Sequence, residues 1–209
     1  MLKPGSKSFI VTLKVLLWLA CLAPLAWMSL GAFNLFGIAL GANPVEKLLH
    51  ECGRWGLKLL LASLAVTPLR ALTGWHWLIR FRRLLGLFAF FYLVLHLLVY
   101  VVLDQYLDFG QLIEDIIERP YITIGMTGLL LLLPLVVTST KGMMRRLGSR
   151  WQSLHRLVYL VAVLGVWHFY WQVKLDTLEP LVYALVLAVL LLSRLVIRRR
   201  RARRAALAS

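Results

Sequence analysis

Two histidines, His96 and His168, lie inside strongly apolar stretches of this 209-residue chain. A charged imidazole inside a membrane-crossing stretch costs roughly 2.5 kcal/mol or more, so such a residue is a functional candidate by default. Counted from the ends of their stretches at about 1.5 Å per residue, the two lie at similar depth on separate helices. Neutral imidazoles on two facing helices suit the two axial positions of a haem iron. Gly165, one turn before His168, leaves room for the edge of a porphyrin ring.

Two other roles remain open for this pair. Each histidine could be a hydrogen-bonded packing residue, or the two could relay protons. No Asp or Glu lies deep inside the apolar stretches to pass a proton onward, which weighs against a proton pump.

His155 is the third candidate ligand, 13 residues before His168 and therefore about 20 Å away along a helix. On an ideal helix the two side chains point about 140° apart, so a shared face needs a bend. We expect His155 at a second site at the opposite end of the bundle, or solvated there. At that depth the third helix carries no histidine and has three arginines instead: Arg80, Arg82 and Arg83.

The two remaining histidines are weaker candidates. His76 lies between Trp75 and Trp77, which favours an interfacial aromatic belt. His50 is near Glu46, Glu51 and Arg54, so it is either solvated at the surface or in contact with a quinone or the edge of a haem.

Other kinds of site find little support in the sequence. Cys21 and Cys52 form neither a CxxC pair nor a zinc-binding spacing, and two thiols cannot hold a four-thiolate iron–sulfur cluster. No GxGxxG follows a predicted strand, so the chain cannot itself take hydride from a nicotinamide. No internal repeat is apparent.

The elements that must position the histidines are apolar helices. Hydrophobic residues make up 61% of the chain and charged residues 16%, against about 45–50% and about 25% in soluble domains. Stretches of about 20 apolar residues cross a bilayer core of about 30 Å, and lipid leaves no partner for an open backbone. We therefore predict an all-α bundle of six transmembrane helices. The stretches are 9–30, 45–69, 84–103, 121–140, 154–173 and 178–197.

The charges predict the orientation. With the N-terminus in the cytoplasm, the cytoplasmic pieces hold 17 of the 24 Lys and Arg residues, and the other side receives all nine acids. The excess of Lys and Arg inside predicts that both termini are cytoplasmic. It also explains the net charge of +15 without a nucleic-acid partner. The cytoplasmic set includes Lys3, Lys7, Arg82, Arg83, Arg194, Arg201 and Arg204, and the outer set includes Asp104, Asp115 and Asp176.

This threading divides the chain into three parts. Residues 1–8 form a cytoplasmic N-terminus, residues 9–197 the six-helix domain, and residues 198–209 a basic cytoplasmic tail that suits anionic lipid. The segment 108–119 mixes acids with Leu112, Ile113, Ile116 and Ile117, which suits a short helix on the outer surface or a face for an outer partner.

Three groups of residues, spread over nearly the whole chain, form a combined pattern. The first runs from Arg82-Arg83-Leu84-Leu85-Gly86-Leu87 to Phe91-Tyr92 and Leu95-His96. The second comprises Thr138-Ser139, Leu147-Gly148, Trp151, Leu154-His155-Arg156-Leu157, Tyr159 and His168-Phe169. The third comprises Pro44, His50, Gly53-Arg54 and Thr67-Pro68-Leu69-Arg70. Together these groups resemble the MsrQ (YedZ) family, a ferric reductase-like transmembrane group.

The resemblance implies a six-span b-type cytochrome of the bacterial inner membrane. It implies electron transfer to a periplasmic molybdenum subunit that reduces methionine sulfoxide in oxidised proteins. Quinol or a cytoplasmic flavin reductase is the implied donor, and haem b, with FMN beside it, the implied cofactor. The family's key histidines match His96, His155 and His168. Arginine stands where larger members of the group have a fourth histidine.

Arg82 and Arg83 are candidate ligands for a flavin phosphate, because guanidinium pairs well with phosphate. The competing explanation, which the positive-inside pattern favours, is that they are a plain topology signal. The expected function is an electron-transfer subunit of an oxidoreductase. Two alternatives are kept: a ferric or quinone-linked cytochrome with another acceptor, and a haem-free transporter or assembly factor.

Overall fold

The computed structural model describes residues 5–173 and 177–207, except the side chains of 201, 202, 204 and 205. Lys3 and Asp176, and the side chains of Arg201 and Arg204, therefore lie outside the described residues. Within the described part every regular element is helical. The α-helices are α1 Lys7–Ala32, α2 Pro44–Thr73, α3 Ile79–Leu98, α4 Phe109–Glu118, α5 Pro120–Val137, α6 Lys141–Leu147, α7 Ser149–Leu154, α8 Leu157–Gln172 and α9 Leu178–Leu207. Short 3₁₀ turns cover Leu35–Gly37 and His76–Leu78, and α3 continues as a π-helix over Val99–Asp104.

Each of the six predicted stretches coincides with a helix. Among the described residues five helices are long and apolar enough to cross a membrane, so the all-α, multi-pass prediction is confirmed. The remaining stretch, 154–173, corresponds to α8, which has 16 residues. The five spans are Lys7–Ala32, Pro44–Thr73, His76–Asp104, Pro120–Val137 and Leu178–Arg200.

The stretch 154–173, predicted as one helix, is broken at its start. Helix α7 ends at Leu154 and α8 begins at Leu157, which leaves His155 in the break. Contacts with the end of α5 hold the break: the Trp151 indole donates to the Thr138 carbonyl at 2.9 Å, and the Thr138 hydroxyl lies 3.1 Å from His155 Nε2. Trp151 of α7 and His155 in the break are thereby attached to the end of α5, and α7 and α8 are separate helices.

Helices α2 and α3 pack on each other most extensively, and α5 and α8 form the second such pair. A Cβ atom added to Gly56 of α2 would lie 2.7 Å from the Leu93 side chain of α3, so the first pair depends on a missing side chain. Small residues at such contacts are typical of membrane helices, where lipid supplies no hydrophobic drive between helices. The outward faces of α1 and α9 are apolar and exposed, as lipid requires: examples are Leu16, Leu19, Leu185 and Leu192.

Helix α1 is attached to α3 by one side-chain hydroxyl. Tyr92 is fully buried, donates to the Cys21 carbonyl at 2.6 Å and accepts from the Leu25 amide at 3.1 Å. Its hydroxyl therefore stands between a carbonyl and the amide four residues later, beside Pro24 inside the helix. Insertion of a side chain into the helical hydrogen-bond ladder is one of the recognised causes of a bend.

Candidate functional site

A cavity of about 420 Å³ lies between α2, α3, α5 and α8, and both His96 and His168 line it. This volume is within the range of small-molecule and cofactor pockets, about 300–1,000 Å³. Its middle is apolar, with Leu57, Leu60 and Val161 on its walls. The two histidines that the sequence singled out at matched depth are therefore brought together at one site.

The two imidazoles face each other at the distance that one shared metal atom requires. Their ring centres are 6.0 Å apart and their planes cross at 79°. A metal–imidazole bond is about 2 Å and the ring centre lies about 1 Å beyond the nitrogen, so axial ligands on opposite sides of one atom have centres about 6 Å apart. The geometry of His96 and His168 matches that value.

Each imidazole is oriented by a backbone carbonyl through its Nδ1 atom. His96 Nδ1 lies 2.8 Å from the Leu49 carbonyl oxygen, and His168 Nδ1 lies 2.7 Å from that of Tyr121. A carbonyl only accepts, so Nδ1 carries the proton in both rings and Nε2 keeps its lone pair. Metal-binding histidines almost always donate their other ring N–H in this way.

Glycine allows each ring to approach a helix closely enough for these bonds. A Cβ atom added to Gly53 would lie 3.1 Å from His96 Nδ1, and one added to Gly125 would lie 2.8 Å from His168 Nδ1. Each glycine stands four residues after the carbonyl that its histidine uses. No larger residue fits at Gly125 unless the imidazole moves, so this glycine is part of the site.

The two halves of the site repeat one spacing that the sequence analysis missed. Both the Leu49–His96 pair and the Tyr121–His168 pair are separated by 47 residues. Three residues beyond each of the glycines stands another, Gly56 and Gly128. The signal was present in the sequence, as two Gly-x-x-Gly pairs at the same distance before a histidine. Gly53 and Gly125 could not be distinguished from the other glycines, because the sequence does not show that they contact the histidines.

One end of the cavity is polar. It is formed where α2 and α5 begin and where α3 and α8 end. There the Gln172 amide donates to His50 Nε2 at 2.9 Å. His50 lines the cavity and is half-buried. The other polar lining residues at this end are Glu46, Arg54, Tyr100, Asp104 and Arg119.

The arginines at this end already have acidic partners. Arg54 lies 3.0 Å from Glu51 through Nη1 and 3.3 Å from Glu179 through Nε. Arg119 lies 3.1 Å from the buried Asp115. The polar end therefore holds two separate groups of ion pairs, one around Arg54 and one between Arg119 and Asp115.

His155 lies at the opposite end of the bundle and does not line this cavity. Its ring stacks on Trp151 with 4.0 Å between ring centres. Burial and the nearby Arg82 guanidinium lower the pKa of His155 below its usual value, which favours a neutral imidazole. The structure therefore separates His155 from His168 and sets it beside the arginines of α3.

The two candidate arginines, Arg82 and Arg83, differ in their surroundings. Arg82 is half-buried near Arg194 of α9, while Arg83 is exposed. Arg194 donates to the Tyr159 hydroxyl at 2.6 Å and to the Leu64 carbonyl, and it stacks on the Tyr159 ring. Arg82, His155 and Arg194 form a basic region separate from the cavity.

The donor set at the cavity suits a metal that brings its own equatorial ligands. Among the described residues no group of three or more His, Cys, Asp or Glu side chains is placed to hold a metal ion. A haem brings four ring nitrogens of its own, so two histidines are enough protein ligands for it. The residues present therefore fit a haem: His96 and His168 would hold it, and it would supply one-electron redox chemistry at this site.

Several known proteins are similar to this chain over most of its length. The family model described as the ferric reductase-like transmembrane component matches residues 52–166. The "Protein-methionine-sulfoxide reductase heme-binding subunit MsrQ" of Rhodospirillum rubrum is 55% identical over 195 residues, 92% of each chain. Its Caulobacter vibrioides counterpart is 52% identical over 180 residues, 86% of this chain and 84% of the relative. A third relative of the same name, from Xanthomonas oryzae pv. oryzae, is 48% identical over 204 residues, 94% of each chain.

Proposed function

Because the chain belongs to the MsrQ family, which carries the ferric reductase-like transmembrane component, we propose that it is a haem-binding membrane subunit of a protein-methionine-sulfoxide reductase system. Its role is to pass electrons across the membrane to a reductase partner. The observation that carries the proposal is the facing pair of His96 and His168, whose ring centres are 6.0 Å apart.

The haem b held by these two imidazoles supplies one-electron redox chemistry, and the protein supplies ligands, orientation and burial. The Leu49 and Tyr121 carbonyls hold the Nδ1 protons, so that both Nε2 atoms stay available to the iron. Gly53 and Gly125 leave space for the imidazole rings of His96 and His168 to lie close to α2 and α5. The apolar side chains along the middle of the cavity would pack against the cofactor, and its charged substituents would lie at the polar end.

The membrane arrangement that supports this role has six spans, namely the five long apolar helices and α8. Both termini are then in the cytoplasm. The basic residues of α6 and of the C-terminal part of α9 favour this orientation. The cavity then opens toward the periplasm of a bacterial inner membrane. Residues 1–8 form the N-terminal segment, 9–197 the transmembrane domain and 198–209 the basic tail.

A second cofactor site belongs at the cytoplasmic end. His155 is its proposed ligand, and Arg82 and Arg83 are proposed to hold an anionic group such as the phosphate of FMN or a carboxylate of a second haem. The support is the basic region in which His155 lies beside Arg82, together with the affinity of guanidinium for phosphate.

The proposed partners stand on the two sides of the membrane. The electron donor is quinol or a cytoplasmic flavin reductase, and the acceptor is a periplasmic molybdenum-containing reductase of oxidised methionines. The word "subunit" in the names of the relatives supports a partner for this chain. The chain's own contribution is the route between them, from the region of His155 to the cavity of His96 and His168.

Visible spectroscopy of the purified chain tests the proposal. We expect a reducible Soret band with sharp α bands, lost in large part in His96→Ala and in His168→Ala while both variants still insert in the membrane. His76→Ala is the matched control, because His76 is exposed in a 3₁₀ turn outside the cavity. A colourless wild type would point to the transporter or assembly factor, and a normal spectrum in both cavity variants would remove the axial assignment.

A further inference from the structure

Helix α4 lies between the α3 and α5 spans at the polar end of the cavity, does not cross the membrane, and has no role so far. It begins at Phe109, five residues after the π-helix ends at Asp104, and only Arg119 separates its last residue from Pro120 of α5. The Asp108 side chain caps it by accepting from the Gln111 amide at 3.0 Å. Such short tethers at both ends keep α4 at the membrane boundary.

One face of α4 is attached to the bundle by a buried carboxylate. Asp115 is 5% exposed and accepts from the Tyr100 hydroxyl at 2.7 Å and from the Gln105 amide at 3.1 Å. Arg119 Nε lies 3.1 Å from its other oxygen. Tyr100 and Arg119 line the cavity, so α4 is fastened directly to the cavity's polar end.

A second face of α4 is apolar and uncovered by protein. Phe109 is 65% exposed, Ile113 59% and Ile117 75%, and the preceding Tyr106 is 83% exposed. Phe109, Ile113 and Ile117 follow a spacing of four along the helix and therefore form one stripe. Earlier in the chain, Val102 and Leu103 at the end of the α3 span are also exposed and apolar.

The third face is acidic, and the order of the three faces around the helix indicates their surroundings. At 100° per residue, the bundle face of Leu112, Asp115 and Ile116 is centred about 110° to one side of the stripe. Glu114 and Glu118, both exposed, are centred about 120° to its other side. A helix that lies beside a bundle at the membrane surface contacts protein on one side, acyl chains below and water above. The bundle face, the apolar stripe and the acidic face of α4 follow the same order around the helix.

We propose that α4 is an interfacial helix whose Phe109–Ile113–Ile117 stripe is embedded in the lipid leaflet on the side where the cavity opens. The occupant of the stripe is lipid, because the three faces of α4 stand in the order that protein, acyl chains and water take around a helix at the membrane surface, and because α4 follows the α3 span directly in the chain. Lipid thereby holds Asp115 against Tyr100 at the cavity's polar end.

Spin-label accessibility in lipid nanodiscs of phosphatidylethanolamine and phosphatidylglycerol tests this seating. Labels are attached to Ile113→Cys and Ile117→Cys, with Glu114→Cys and Glu118→Cys as controls one residue around the helix. All four side chains are exposed, so no buried contact is removed. The unaltered chain is the labelling blank, because Cys21 and Cys52 are buried.

We expect labels at 113 and 117 to collide more often with molecular oxygen than with a water-soluble nickel chelate, and labels at 114 and 118 to show the reverse. Equal nickel accessibility at all four positions would overturn the proposal. Shielding of 113 and 117 that appears only after the reductase partner is added would also overturn it, in favour of a protein-docking face. The readout does not involve haem, so its failure is distinct from failure of the proposed function.

Discussion

Gly125 offers the sharpest test of how the protein holds its proposed haem ligand. In Gly125→Ala the new Cβ would lie 2.8 Å from His168 Nδ1 and 3.0 Å from its Cε1. Ordinary van der Waals contact begins at 3.4 Å, so the imidazole must retreat by about 0.6 Å. Such a shift is incompatible with keeping both the 2.7 Å hydrogen bond to the Tyr121 carbonyl and an iron bond of about 2 Å.

The expected cost is the sum of two modest effects. Loss of the Nδ1 hydrogen bond costs about 1 kcal/mol, and a side chain forced off its rotamer by about 30° costs about 1 kcal/mol. Together these correspond to a loss in haem affinity of about 10–100-fold, the range seen when partners of metal-binding histidines are removed. The helix itself is not weakened, because Ala exceeds Gly in helix propensity by about 1 kcal/mol.

Gly142→Ala is the control. Gly142 lies in helix α6, outside the cavity, and its Cβ would meet nothing within 4 Å. Gly53→Ala should lie between the two, because its Cβ would be 3.1 Å from His96 Nδ1 and requires about half the displacement. The assay is titration of haem into the apoprotein, followed at the Soret band. Equal affinities for Gly125→Ala and Gly142→Ala would refute the argument that glycine clears space for the ligand.

Other sites lead to different expected outcomes. His155→Ala should retain the haem between His96 and His168 and alter only part of the redox titration, because His155 lies outside that cavity; an unchanged titration would remove His155 as a ligand. Tyr92→Phe should lower thermal stability by about 1–3 kcal/mol, since it leaves the buried Leu25 amide and Cys21 carbonyl without their hydroxyl partner. Tyr106→Phe, at an exposed position, should leave the melting temperature unchanged, and a similar loss in both variants would contradict the role of the Tyr92 hydroxyl.

Local features of the sequence predicted the helices well. An apolar stretch of about 20 residues carries its own signal for a span, because the bilayer demands length, hydropathy and internal hydrogen bonding. The same reasoning put His96 and His168 at one depth, and the structure brings them together. It also predicted the short helix between α3 and α5, from the apolar periodicity of residues 108–119.

The partners of the key side chains were decided only by tertiary structure. The residue that each histidine contacts depends on the rotation of its helix about the helix axis and on which helix packs beside it. When a helix is apolar on all sides, its hydropathy pattern gives almost no information about that rotation. The Leu49–His96 bond joins residues 47 apart, and the His50–Gln172 contact joins residues 122 apart. The break at His155 likewise depends on contacts of Trp151 and His155 with Thr138 at the end of another helix. The sequence alone determined which segments cross the membrane and which residue types they carry, whereas packing between helices decided which of those residues meet.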